Sequence, residues 1–168
     1  MKKYLLNALL LLIIFTFGGC KITFNGASIP PEMKSINVRF FENNAPLVVA
    51  DLAQNFTEEL KTRIRNQTRL TITQGDADAV FEGRITSYSI APTAIGDNKQ
   101  PTAGANRLSI TVAVKYTNNL NEKLSFEESF TRFKDFPQSG LATAPPQLNT
   151  DVNRMLTEDI FNRAFAQW

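Results

Sequence analysis

Histidine is absent from all 168 residues, and cysteine occurs once, as Cys20. The first absence removes the side chain most used as a general base and the commonest metal ligand, which counts against catalysis. The second excludes an intramolecular disulfide. Excess charge is scarce as well. The chain carries 18 Lys and Arg against 16 Asp and Glu, and Lys2 and Lys3 account for the whole difference. Beyond Gly19 the charges balance, so there is no general electrostatic reason to bind nucleic acid. Motifs that carry chemistry are missing too. Gly96-Asp97-Asn98-Lys99 with Gly104 lacks the Gly-Lys-Ser/Thr spacing of a phosphate loop. Glu127 and Glu128 are neighbours on a strand and project to opposite faces, which does not suit a carboxylate pair. Asp76 and Asp78 flank a turn but supply too few oxygens for calcium. The sequence predicts no catalytic residues, no metal and no cofactor.

One long apolar run stands out from this polar balance. Tyr4 to Phe17 follows Lys2 and Lys3 and ends at Phe17-Gly18-Gly19-Cys20. That is the layout of a secretory signal peptide. At about 14 residues the run is short of the roughly 20 that span a bilayer as a helix. Small residues leading into a cysteine resemble a bacterial lipobox, with Phe17 where the pattern prefers Leu. On that reading Cys20 is the lipid-attachment residue, a palmitate-bearing first residue of the mature chain, and no free thiol remains. An ordinary signal peptide with a chance cysteine, or an N-terminal anchor, are the alternatives. Lys21, in place of the Asp that retains enterobacterial lipoproteins at the inner membrane, points to the outer membrane. The expected organisation is a signal peptide over 1–19, a lipidated tether over 20–34 containing Gly26, Pro30 and Pro31, and one domain over 35–168. Each buried methylene contributes about 0.8 kcal/mol, so two or three acyl chains would hold the domain at the inner leaflet of the outer membrane, facing the periplasm.

Periodicity sets out that domain. Ile36, Val38 and Phe40 alternate with Asn37, Arg39 and Phe41 as in a strand, broken by Glu42 to Pro46. Leu52, Phe56, Leu60 and Ile64 recur every four residues in a helix over 51–67, with Asp51 placed as its cap or as an early acid near its positive end. Leu70 and Ile72 suggest a short strand closed by Gly75-Asp76. A longer one covers 79–90, its faces poorly separated and Gly83 placed as a bulge. Residues 91–106 read as a long hairpin tip. Leu108, Ile110, Val112, Val114 and Tyr116 make the clearest strand, followed by a turn at Asn118 to Asn121. Leu124, Phe126 and Phe130 begin a fourth long strand, with Ser125, Glu127, Ser129 and Thr131 opposite and Glu128 interrupting its apolar face. After a connection at 137–146, a helix over 150–167 buries Val152, Leu156, Ile160, Phe161, Ala164, Phe165 and Trp168. This order predicts an α+β two-layer sandwich, with two helices on one face of a mainly antiparallel sheet of four to five strands.

Six cations lie on or beside these strands, namely Arg39, Arg84, Arg107, Lys115, Arg132 and Lys134. They are either solubilising charges and edge guards, or contacts for an anionic lipid phosphate or a barrel wall on the open sheet face.

With these pieces in place, the chain resembles the LptE family, in its branch outside the enterobacteria. The likeness is carried by Phe24 to Pro31, Val38 to Leu47, Phe56-Thr57-Glu58-Glu59-Leu60, Phe81-Glu82-Gly83, Asn106-Arg107-Leu108, and Glu158 to Asn162 through Trp168. The resemblance implies a non-enzymatic lipoprotein of the Gram-negative lipopolysaccharide translocon. Such a protein plugs the large outer-membrane β-barrel LptD, assists its assembly, and helps deliver lipopolysaccharide to the surface. Its implied partners are an LptD-type barrel, lipopolysaccharide and the inner leaflet. A periplasm-facing, pilotin-like scaffold for another outer-membrane channel is the alternative of the same anchor and fold. A ligand-binding module or enzyme is a third, and it would need a deep pocket with convergent polar groups.

Overall fold

A computed structural model describes residues 29–95, 102–137 and 146–166. The elements in chain order are β1 (Ser35–Val38), β2 (Glu42–Asn43), α1 (Leu52–Gln67), β3 (Thr71–Thr73), β4 (Ala79–Ile95), β5 (Thr102–Asn118), a 3₁₀ turn (Glu122–Leu124), β6 (Phe126–Pro137) and α2 (Pro146–Phe165). Strand order is β3-β1-β4-β5-β6, with β2 pairing β4 just beyond β1. The pairs of β1 with β3 and β4, and of β2 with β4, are parallel, whereas β4–β5–β6 is an antiparallel meander. Both helices cover one face, so the predicted α+β sandwich is the fold.

The core forms where the even residues of β5 meet the helix stripes. Ile110, Val112, Val114 and Tyr116 are buried on that face, against Leu60 and Ile64 of α1 and Leu156 and Ile160 of α2. Aromatics dominate its lower half. Phe81 lies 4.8 Å from Tyr116, and Phe165 packs edge-on against both rings, at 6.1 and 5.9 Å between centroids. Burial pushes the Tyr116 hydroxyl up to about 12. Higher up, the Tyr88 hydroxyl donates to Asn149 Oδ1 at 3.1 Å and ties β4 to α2.

Several local expectations are corrected. Phe41, not Phe40, enters the core: Phe41 is fully buried and Phe40 is 59% exposed. The register explains this, because Val38 pairs Phe81 and Glu42 pairs Arg84, which leaves one extra residue on the β1–β2 side. That bulge rotates the side chains between them, and β2 occupies part of the expected break. The bulge within β4 falls at Thr86, between Ile85 and Ser87, rather than at Gly83. It moves the buried positions from odd (Ala79, Phe81, Ile85) to even (Tyr88), hence the mixed faces in the sequence. Gly83 is instead where the Phe41 ring crosses the strand. Asp51 does not cap α1; it sits in the left-handed region at φ 59 and its side chain makes no capping bond. Most of the supposed tip at 91–106 is strand, because Ala91 pairs Arg107 and the ladder runs on to Ile95 and Thr102. Residues 96–101 lie outside the described residues. So do the tether up to residue 28, most of the 137–146 connection, and Trp168. The last helix begins at Pro146, a residue suited to a first turn because its missing N–H has no helical acceptor there.

Candidate functional site

Polar residues cover the sheet face opposite the helices. Ser87 and Ser89 of β4, Ser109, Thr111 and Thr117 of β5, and Ser129 and Thr131 of β6 alternate with the buried positions. The Thr111 and Thr131 hydroxyls share a hydrogen bond of 2.9 Å at its centre. This is a flat, hydroxyl-rich surface with a charged cluster at each end.

The lower cluster is built on Glu82. Arg39 Nη1 lies 2.7 Å from one carboxylate oxygen and Lys115 Nζ 3.2 Å from the other. Strand register sets Arg84 next to them on the same face, and among the described residues it makes no ion pair. Phe40, turned out by the bulge, lines the same concavity. In the upper cluster Arg107 grips Asp135 through both carboxylate oxygens, at 2.7 and 2.9 Å, and lies over the Phe133 ring, 3.9 Å from its centroid. Hydrogen bonds from Arg107 hold the Asp135 carboxyl below the usual carboxylate range and raise the guanidinium in turn.

Arg132 and Lys134 point the other way. Their register partners Ile110 and Leu108 face the helices, and both cations pair with α2. Arg132 makes a two-pronged contact with Asp159, 2.6 Å on its Nη2 arm, and Lys134 meets Asp151. Glu128 joins this row by accepting both Arg163 Nε and Nη2, at 2.9 and 2.6 Å. The six cations predicted from the sequence therefore divide. Arg39, Arg84, Lys115 and Arg107 share the open face, while Arg132 and Lys134 join sheet to helix. Sequence reading missed Glu82, Phe40 and Phe133 as members of the open face. The signal for Glu82 was its odd-even offset from Phe81 on the same strand.

Chemically, the lower cluster can hold an anionic group only by drawing cations away from Glu82, with Arg84 available at once. Among the described residues no group of three or more His, Cys, Asp or Glu side chains is placed to hold a metal, and no helix is long and apolar enough to cross a membrane.

Among solved structures, a lipoprotein B from Nitrosomonas europaea shares 17% identity over 85% of this chain and 88% of its own, with a TM-score of 0.49. The rare lipoprotein B of Shewanella oneidensis shares 11% over 78% and 88%, with a TM-score of 0.37. The PelC dodecamer from Paraburkholderia phytofirmans shares 10% over 84% and 95%, with a TM-score of 0.47. No curated protein matches the sequence significantly. The family model for LptE, described as lipopolysaccharide-assembly, matches residues 33–164, from buried Met33 through every element to Ala164 of α2. This chain belongs to the LptE lipopolysaccharide-assembly family, and that membership implies a role in lipopolysaccharide assembly.

Proposed function

We propose that this protein is the lipoprotein subunit of the outer-membrane lipopolysaccharide translocon, plugging an LptD-type β-barrel and assisting its assembly. Acylated Cys20 would hold it in the inner leaflet of the outer membrane, with residues 20–34 as tether and the sandwich facing periplasm and barrel lumen. The family match over 33–164 carries this reading, and members of the family are non-enzymatic assembly lipoproteins. The uncovered face supports it. A wet barrel interior suits serine and threonine hydroxyls and paired charges better than an apolar patch.

Lipopolysaccharide would be met through its phosphates at Arg39, Arg84 and Lys115, with Arg107 as the upper contact. Glu82 competes with any phosphate for Arg39 and Lys115, so Arg84 is the cation expected to matter most. Arg132 and Lys134, engaged with α2, would affect lipid contact mainly by holding the sandwich together.

The deciding experiment is a pull-down of tagged, lipidated protein from detergent-solubilised outer membranes, with mass spectrometry of its partners. A stoichiometric barrel of the LptD type is expected. A different channel would move the protein to the pilotin-like scaffolds, and the absence of any partner would overturn the reading. Replacing Cys20 with Ala is expected to abolish labelling by a fatty-acid analogue. Deleting 97–104, part of which lies outside the described residues, should reduce barrel recovery and leave thermal stability nearly unchanged.

A further inference from the structure

Among the described residues, apart from the free side of two-residue β2, the sheet has three edges, and they are guarded unequally. Along its 12 residues β6 carries Glu127, Glu128, Arg132, Lys134 and Asp135, and β3 is only 3 residues long. Charge and shortness are the usual devices that deter strand addition. The third edge is the upper half of β4. β1 and β2 cover β4 only as far as Ile85, whose carbonyl accepts the Asn44 amide at 2.9 Å, whereas β4 continues to Ile95. Among the described residues no strand pairs with this side beyond Ile85, and no backbone hydrogen bond outside the ladders reaches Ser87–Ile95. That stretch, Ser-Tyr-Ser-Ile-Ala-Pro-Thr-Ala-Ile, contains no charge.

Its hydrogen-bonding groups can be assigned. The carbonyls of Phe81 and Ile85, whose side chains face the helices, point to the β1–β2 side, where they accept the amides of Arg39 and Asn44. In a strand, backbone direction and side-chain face alternate together. After the bulge at Thr86 the helix-facing residues are Tyr88 and Ile90, so these two present N–H and C=O to the open edge. Pro92, next in the series, has no N–H and closes it.

We infer that the β4 edge from Thr86 to Ala91 is a docking strand that takes an extended, uncharged segment of the barrel partner into the sheet. This rests on the barrel reading above. Main-chain bonds to Tyr88 and Ile90 supply register, and small exposed Ser89 and Ala91 leave room beside the incoming chain. A neutral edge selects a neutral segment, since a charge there would find no counter-charge along Ser87–Ile95. A second copy fits poorly. In a two-fold antiparallel pair about Ser89, Pro92 of each copy falls opposite the other's bulge at Thr86, so the ladder stops at once.

The test is hydrogen exchange on the full lipidated protein in detergent, alone and in the co-purified barrel complex. Protection of the Tyr88 and Ile90 amides should rise about tenfold or more in the complex, with no change along β6. The double variant Ser89→Lys, Ala91→Lys should lower barrel recovery several-fold with an unchanged melting temperature. Recovery of the barrel with these amides exchanging as before overturns the docking strand and leaves the plug reading intact. Failure to recover any barrel overturns both. Protection already present in the protein alone overturns it as well, in favour of a second copy if it grows with concentration, or of residues 20–28 if it does not.

Discussion

The bulge that turns Phe41 into the core takes its amide out of the pairing of β1 and β2 with β4, and a hydroxyl from α1 replaces the lost partner. Phe41 N–H donates to Thr57 Oγ1 at 3.1 Å, and that hydroxyl donates to the Ala53 carbonyl at 2.8 Å. Thr57 is 1% exposed, so no water can take its place. Thr57→Val keeps the shape and deletes both bonds, leaving a buried N–H unpaired. It should destabilise the protein by about 1–3 kcal/mol in urea unfolding, with Thr57→Ser recovering most of the loss. Gly83 answers to the same ring. A Cβ there would lie 2.2 Å from the Ala113 carbonyl oxygen and 2.6 Å from Phe41 Cε1. Phe41 cannot retreat, because Phe56 packs 5.0 Å behind it. Gly83→Ala should therefore cost about 1–3 kcal/mol by the same measurement, although it adds only one methyl. Asp78 fixes the start of β1 by accepting from the Lys34 and Ser35 amides at 2.7 and 2.9 Å and from the Ser35 hydroxyl at 3.1 Å. The two amide bonds hold its carboxyl below the usual range. A lowered folded-state value stabilises the protein where Asp78 is ionised, and the effect fades as pH falls through the ordinary carboxylate range. Asp78→Ala should thus melt lower than the parent at pH 7, and the gap should close as the solution is acidified below about pH 4.

Beside its apolar stripe, α2 meets β6 through a row of charged pairs. Asp151, Asp159 and Arg163 meet Lys134, Arg132 and Glu128 in sequence down the strand. These groups are half-exposed, so each pair contributes modestly. A double-mutant cycle on Arg132→Ala and Asp159→Ala should give a coupling of about 0.2–1 kcal/mol that shrinks with added salt. The row also shows what a single strand's periodicity conceals. Glu128 read as a flaw in an apolar face because a two-residue period describes one strand alone, whereas the matching charges sit on a helix more than twenty residues later. They were visible there, since Asp159 and Arg163 are one turn apart beside the apolar stripe. The helix stripes and the even positions of β5 were legible because regular elements repeat their burial. Phe40 and Phe41, the shifted faces of β4 and the extent of the hairpin were not, because each depends on a register between strands that one segment does not contain. Of the candidate site, the cations were visible as residue types. Their division between the two faces, and the role of Glu82, needed the pairing of β4 with β5.

The start of β1 and the upper end of β4 lie far apart along the sheet. β1 begins beside Ala79, at the foot of β4, and β4 then runs 17 residues to Ile95. At ~3.3 Å per residue that is roughly 55 Å, well beyond the ~30 Å hydrocarbon thickness of a bilayer. On the barrel reading proposed above, a domain seated with the foot of β4 at the inner leaflet would thus carry the upper end of β4 past the bilayer midplane. The geometry can be checked without the barrel, because Cys20 is the only cysteine and a Cys20→Ala protein carries only the introduced thiols. Spin labels at Lys34→Cys and Ala91→Cys, both exposed positions, should report a separation of about 40 Å by pulsed dipolar spectroscopy, the length of twelve strand residues. A narrow distribution there means that the upper hairpin stands out from the helix layer as a stiff arm, as a docking edge must. A broad one, or a maximum below about 30 Å, means that the arm bends back over the sheet, and then the open β4 edge could not operate as the pairing of β4 with β5 requires.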